Sequence, residues 1–174
     1  AAKEDPAPAD SAEPAAAPEK AGTNGAPAKA KGDAEARATG GKAARILSLM
    51  IPRAHLYHQD LDDSIAAQAL DIYIDMLDSD HTFFMAPDIE QFRKEAGQLD
   101  DMVKAGDLSF AYRVHALFMD RVRNRMQRLE ELLKTKPDLS INESYRWKRK
   151  DAPWAADEKE WNELWRLKIK NDHV

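Results

Sequence analysis

The sequence predicts an all-α fold, a bundle of about five helices behind a disordered N-terminal Ala/Pro-rich tail. Three observations carry this expectation. Residues 1–42 contain no Ile, Leu, Val, Met or aromatic side chain. From Ala43 onward, apolar residues recur at helical spacing almost without interruption. Pro and Gly then fall between the periodic runs, at Pro87, Gly106 and Pro137, where helices start or stop.

The tail, 1–42, alternates Ala with Pro, Gly and mixed charge. It has too little apolar surface to offset the entropy of ordering, so it reads as a disordered linker. The rest, 43–174, is long enough for one hydrophobic core.

The first helix comes from "AARILSLMIPRAHLYH", with Ile46, Leu49, Met50 and Ala54 on one side and a kink or break expected at Pro52. The second is "DDSIAAQALDIYIDMLDSD". Asp62 is its N-cap, and Ile65, Ala69, Ile72 and Met76 form its stripe, widened by Tyr73 and Leu77. "TFFMAPD" is a short apolar connector. The third helix spans 87–104, with Ile89, Phe92, Ala96, Leu99 and Val103 inward. Gly106 suits its left-handed end, and Asp107 caps the next helix. The fourth, 108–134, turns Phe110, Val114, Leu117, Phe118, Val122, Met126, Leu129 and Leu133 inward and Arg121, Arg123, Arg125 and Arg128 outward. "LSINESYRWKRKDAPW" has no clean period and reads as an extended connector with room for a short strand. Asp157 and Glu160 open the last helix as a capping-box-like pair, with Trp161, Leu164, Trp165, Lys168 and Ile169 along one face.

A net charge of −5 argues against bulk nucleic-acid binding, and no apolar run is long enough to span a bilayer. The chain has no Cys, which excludes disulfides, thiol catalysis and zinc–thiolate sites. His55 and His58, three apart with Asp60 and Asp62 nearby, are the one metal-like pair. They match no defined ligand signature, so neither a metal nor a cofactor is expected. Paired carboxylates sit on polar faces and at turns, and no serine lies in a nucleophile elbow. "YRWKRK", with Arg146, Lys148, Arg149 and Lys150, has the composition of a nucleic-acid contact. Acidic flanks at Glu143 and Asp151 make it a solvated surface instead. From the residues alone, this is a helical interaction domain with no evident catalytic residue.

Two blocks carry a resemblance: "ALDIYIDMLDSDHTFFMAPDIEQF" at 69–92, with its LD-x-x-H turn, and "KDAPWAADEKEWNELWRLKIKND" at 150–172. Their order and spacing resemble the N-terminal domain of the tail-specific proteases, the bacterial carboxy-terminal processing peptidases. The resemblance implies a periplasmic serine protease acting on proteins with apolar C-termini through a Ser–Lys pair. It implies that the PDZ domain, the protease core and a further helical domain lie outside this chain. The opening Ala-Ala and the linker fit a mature chain after signal cleavage. The expected partners are the remainder of the protease chain and an adaptor protein. Trp154, Trp161 and Trp165 are the expected contact residues; Trp161 and Trp165 would pack partly on this domain and partly on segments outside this chain, leaving aromatic surface that would also drive self-association. The rival reading is a free-standing adaptor that uses the same aromatic helix.

Overall fold

The computed structural model describes residues 25–54 and 60–173. Among the described residues there are six α-helices: α1 (Gly25–Ala54), α2 (Asp63–Leu77), α3 (Ala86–Lys94), α4 (Leu99–Ala105), α5 (Ser109–Leu132) and α6 (Glu158–Asp172). A 3-10 turn at Ala96–Gln98 joins α3 to α4. There is no strand among the described residues. The long connector before α6 makes one isolated parallel bridge, Met85 to Ala155.

The all-α expectation holds, but several helices differ from their sequence reading. α1 starts at Gly25, so it runs well back into the stretch read as linker. Ala, Lys, Arg and Glu dominate that stretch and are strong helix formers, which apolar content alone does not register. The helix also continues through Pro52 to Ala54. In place of the single helix at 87–104 there are α3, the 3-10 turn and α4. Gly97 sits at the break, where its low helix propensity makes a tighter turn inexpensive. The break lets Ile89 and Phe92 on one side, and Leu99 and Met102 on the other, reach the same core.

That core contains Leu70, Ile74, Phe84, Ile89, Phe92, Phe110 and Val114. Phe92 meets Phe84 and Phe110 edge-to-face, at centroid distances of 5.4 and 6.2 Å. The face that α2 buries is Ala66, Leu70 and Ile74, with Tyr73 and Leu77 beside them. Ile72 and Met76, expected inward, are 60% and 78% exposed. Both stripes have helical spacing. The helix is apolar around more than half its circumference, so periodicity cannot choose between them. On α5, Phe110, Val114, Leu117 and Phe118 face the core as expected, but Met126 and Leu133 are exposed and Arg125 is buried.

The caps follow the sequence closely. Asp62 Oδ1 accepts from Ile65 N at 2.9 Å, and Asp157 Oδ1 accepts from Glu160 N at 2.8 Å. Asp107 Oδ1 accepts from Ser109 N at 2.8 Å at the start of α5. Gly106 ends α4 with φ 78°, the left-handed conformation that glycine adopts without penalty.

Gly106 also sits against α1. A Cβ on Gly41 would lie 2.4 Å from the Gly106 carbonyl oxygen, a backbone atom that cannot swing away. A Cβ on neighbouring Gly40 would meet only side-chain atoms of Leu108 and Tyr112, at 3.4 and 3.5 Å. Gly41→Ala should therefore push α1 off the α4–α5 turn and lower the melting temperature. Gly40→Ala, which gains helix propensity worth up to about 1 kcal/mol, should be tolerated. Thermal unfolding of the two variants checks this.

Candidate functional site

The two sequence blocks at 69–92 and 150–172 meet in space, and Asp78 and His81 make the junction. Asp78 ends α2 and is 2% exposed. Its Oδ1 accepts from Thr82 N at 2.8 Å. Its Oδ2 accepts from Phe83 N at 3.1 Å and Phe84 N at 2.9 Å. Trp154 Nε1 also donates to Oδ2, at 3.3 Å. One carboxylate thus satisfies three consecutive backbone donors of a buried connector and reaches the second block as well.

His81 has φ 51°, a left-handed conformation uncommon outside glycine. This turns its ring onto Trp154, stacked at 3.7 Å with planes 20° apart. Its Nδ1–H donates to the Ala152 carbonyl at 2.5 Å, since a carbonyl can only accept. Thr82, the next residue, offers its carbonyl to both Trp161 Nε1 and Trp165 Nε1, each at 2.8 Å. These indoles lie four residues apart on α6, so one carbonyl pins two turns of the helix. The chain then closes with Ala86 N donating to the Ala155 carbonyl at 2.9 Å.

α5 joins through two arginines. Arg121 donates to Asp88 from Nε at 3.1 Å and from Nη2 at 2.8 Å, and Asp88 Oδ2 also accepts from Met85 N at 3.0 Å. Arg125, expected outward, is 1% exposed. Its guanidinium carbon lies 3.5 Å from the centroid of the Trp161 ring and 5.0 Å from that of Trp165. Burial pushes its pKa down to about 10. Nη1 reaches Asn162 Oδ1 at 3.4 Å, while Nε and Nη2 have no hydrogen-bond partner among the described residues. The cation is held chiefly by π faces.

The expected contact residues are thereby placed. Trp161 and Trp165 are turned inward, 5% and 9% exposed, with Phe83 and Met85 packed on them. Trp154 is half-buried on His81. The aromatic surface expected on α6 faces the domain's own interior, because the Thr82 carbonyl and Arg125 both draw the indoles in. The exposed indole is Trp147, at 68%. Of the basic loop, Arg146 Nε donates to the Lys148 carbonyl and Arg149 Nη2 to the Pro153 carbonyl, so two of its cations shape the loop itself. His55 and His58 lie outside the described residues. Among the described residues, no cluster of three metal-type ligands occurs.

A Ser–Lys pair does share one pocket, Ser48 with Lys104. Its chemistry runs the wrong way for catalysis. Lys104 Nζ lies 2.6 Å from Asp100 Oδ2, which raises the lysine pKa, whereas a general base needs it lowered. Ser48 donates its hydroxyl to the Arg45 carbonyl at 2.8 Å. The groups at the junction are likewise committed to holding two chain segments together.

A second polar cluster fastens the connector to α6. Glu143 pairs with Arg166, which also donates to Glu163. Lys170 Nζ meets Glu143 Oε2 and the Ile141 carbonyl, both at 2.6 Å. Arg166 first, then Lys170, holds the Glu143 carboxyl down to about 2.

Helical periodicity places Arg125 on the outward face of α5 and gives Asp78 and His81 no role beyond the end of α2. The LD-x-x-H spacing was the available signal for Asp78 and His81. Nothing local marks Arg125, whose burial comes from α6, some 35 residues further along.

Among known proteins, the family model described as "Tail specific protease N-terminal domain" matches residues 47–174. A "Tail-specific protease" of Haemophilus influenzae is 31% identical over 125 residues, covering 71% of this chain and 18% of that relative. The chain thus corresponds to under a fifth of the relative's length.

Two outcomes follow from this geometry. Asp78→Ala strands several buried donors, each worth about 1–3 kcal/mol, so it should cost about 3 kcal/mol or more in urea unfolding. Exposed Asp80→Ala should stay within about 0.5 kcal/mol. Glu143 has a folded pKa below its ordinary 4.5. Its contribution is therefore present above that value and lost as pH falls toward about 2. Glu143→Gln should be less stable than the parent at pH 7, with the gap closing in acid. Melting temperatures across that range test this.

Proposed function

Because this chain belongs to the tail-specific protease N-terminal domain family, we propose that it is the non-catalytic helical scaffold of a periplasmic serine protease. That enzyme processes or degrades proteins presenting apolar C-termini. The observation that supports a scaffold role is the junction at Asp78, His81 and Trp154. It spends its ionisable and aromatic groups on joining two chain segments. The domain itself begins inside α1, near Ala43, because the stretch before it has no large apolar side chain to bury. Among the described residues no helix is long and apolar enough to cross a membrane.

In this reading the remaining domains of the same protein carry the Ser–Lys chemistry and the groove for the substrate terminus. This domain holds them in place and shapes access to them. An adaptor protein would meet its outer surface, where Trp147 is exposed with the Lys148 ammonium over its ring.

Purified 1–174 should not cleave a fluorogenic peptide with an apolar C-terminus. The longer protein that carries this chain should cleave it, and should leave a peptide with a charged C-terminus intact. Cleavage by 1–174 alone would refute the scaffold reading, and failure of the longer protein to cleave would refute the protease reading.

A further inference from the structure

The most apolar stretch of α1 leaves most of its large side chains exposed. Ile46, Leu47, Leu49 and Met50 are each more than half exposed, and Ile51 is 37% exposed. α1 meets the domain through Gly41 and Ser48, small residues on its other side. Leu47 and Ile51 edge an apolar groove of about 330 Å³ that continues onto Leu61, Tyr73 and Val103. Ile46, Leu49, Met50 and Arg53 then follow at i, i+3, i+4 and i+7, the spacing with which one helix receives another. A contiguous apolar surface of this kind marks an interaction site.

From Ala36 to Ala54 the chain has no acidic residue, and by helical spacing Lys42 and Arg53 are the cations beside this face. Arg37, over the Tyr112 ring, and Arg45, against Gly106, lie on the side that meets the domain. A complementary occupant carries an apolar stripe with carboxylates beside it. The relative extends far beyond the matched region, which is 18% of its length.

We propose that the Ile46–Leu49–Met50 face of α1 seats an amphipathic, acid-flanked helix from the part of the longer protease chain that lies outside this structure. This rests on the family reading above. It adds which surface of the domain the rest of the chain grips.

The absence of cysteine makes the test direct. A single cysteine is introduced as Leu49→Cys, or as Met50→Cys in a second preparation. Glu130→Cys, on an exposed part of α5, serves as the control. Maleimide labelling is followed by peptide mass mapping in 1–174 and in the longer protein. Leu49→Cys and Met50→Cys should label more slowly in the longer protein by about tenfold or more, with Glu130→Cys unchanged. Equal rates in the two proteins would overturn the proposal. So would protection in 1–174 that grows with its own concentration, which assigns the face to a second copy. Protection that requires phosphatidylglycerol vesicles would overturn it too. Peptide cleavage by the same preparations separates the two readings. Cleavage without protection defeats the docking surface alone, and protection without cleavage defeats the protease assignment alone.

Discussion

The structure depends on placing a full carboxylate, Asp78, where water hardly reaches. A buried charge is tolerable only when its lone pairs are filled. Here three successive backbone N–H groups and one indole fill them. The same bonds solve the opposite problem for the connector. Residues 82–84 are buried or half-buried and non-helical, so their donors would otherwise lack partners. The charge and the irregular backbone each remove the other's cost. The exchange also fixes where Phe84 enters the core and where the Thr82 carbonyl points.

From that carbonyl the rest of the second block is organised. Thr82 receives two indoles, and the indoles form the surface on which Arg125 lies. Arg125 is an expensive residue to bury with so few acceptors. Its broad, weakly hydrated guanidinium suits an aromatic face better than a lysine ammonium would. The Glu143–Arg166–Lys170 cluster fastens the same helix from the solvent side, where charges are cheaper to hold. α6 is thus secured by buried dipoles and π faces within, and by ion pairs without.

This arrangement accounts for the two sequence blocks that identify the family. They lie some 60 residues apart in the chain yet supply the two halves of one junction. The domain can hold its own shape through that junction while α1, packed through glycine and serine, leaves its apolar side open. The scaffold role proposed above would use that division.

The sequence by itself determined the helical class, most helix ends and the caps. These depend on local chemistry: the period of apolar residues, the hydroxyl or carboxylate before a first turn, the glycine after a last one. Asp62, Gly106 and Asp157 behave as their neighbours dictate. Tertiary structure alone decided which stripe of α2 faces inward, because Leu70–Ile74 and Ile72–Met76 are equally good helical faces until a core exists. It decided that Trp161 and Trp165 turn in, since the carbonyl that takes their N–H groups lies about 80 residues back along the chain. It decided that Arg125 is buried and Ile46, Leu49 and Met50 are not. Those outcomes reverse the ordinary preference of each side chain, and only the packing of distant segments supplies the energy to reverse it.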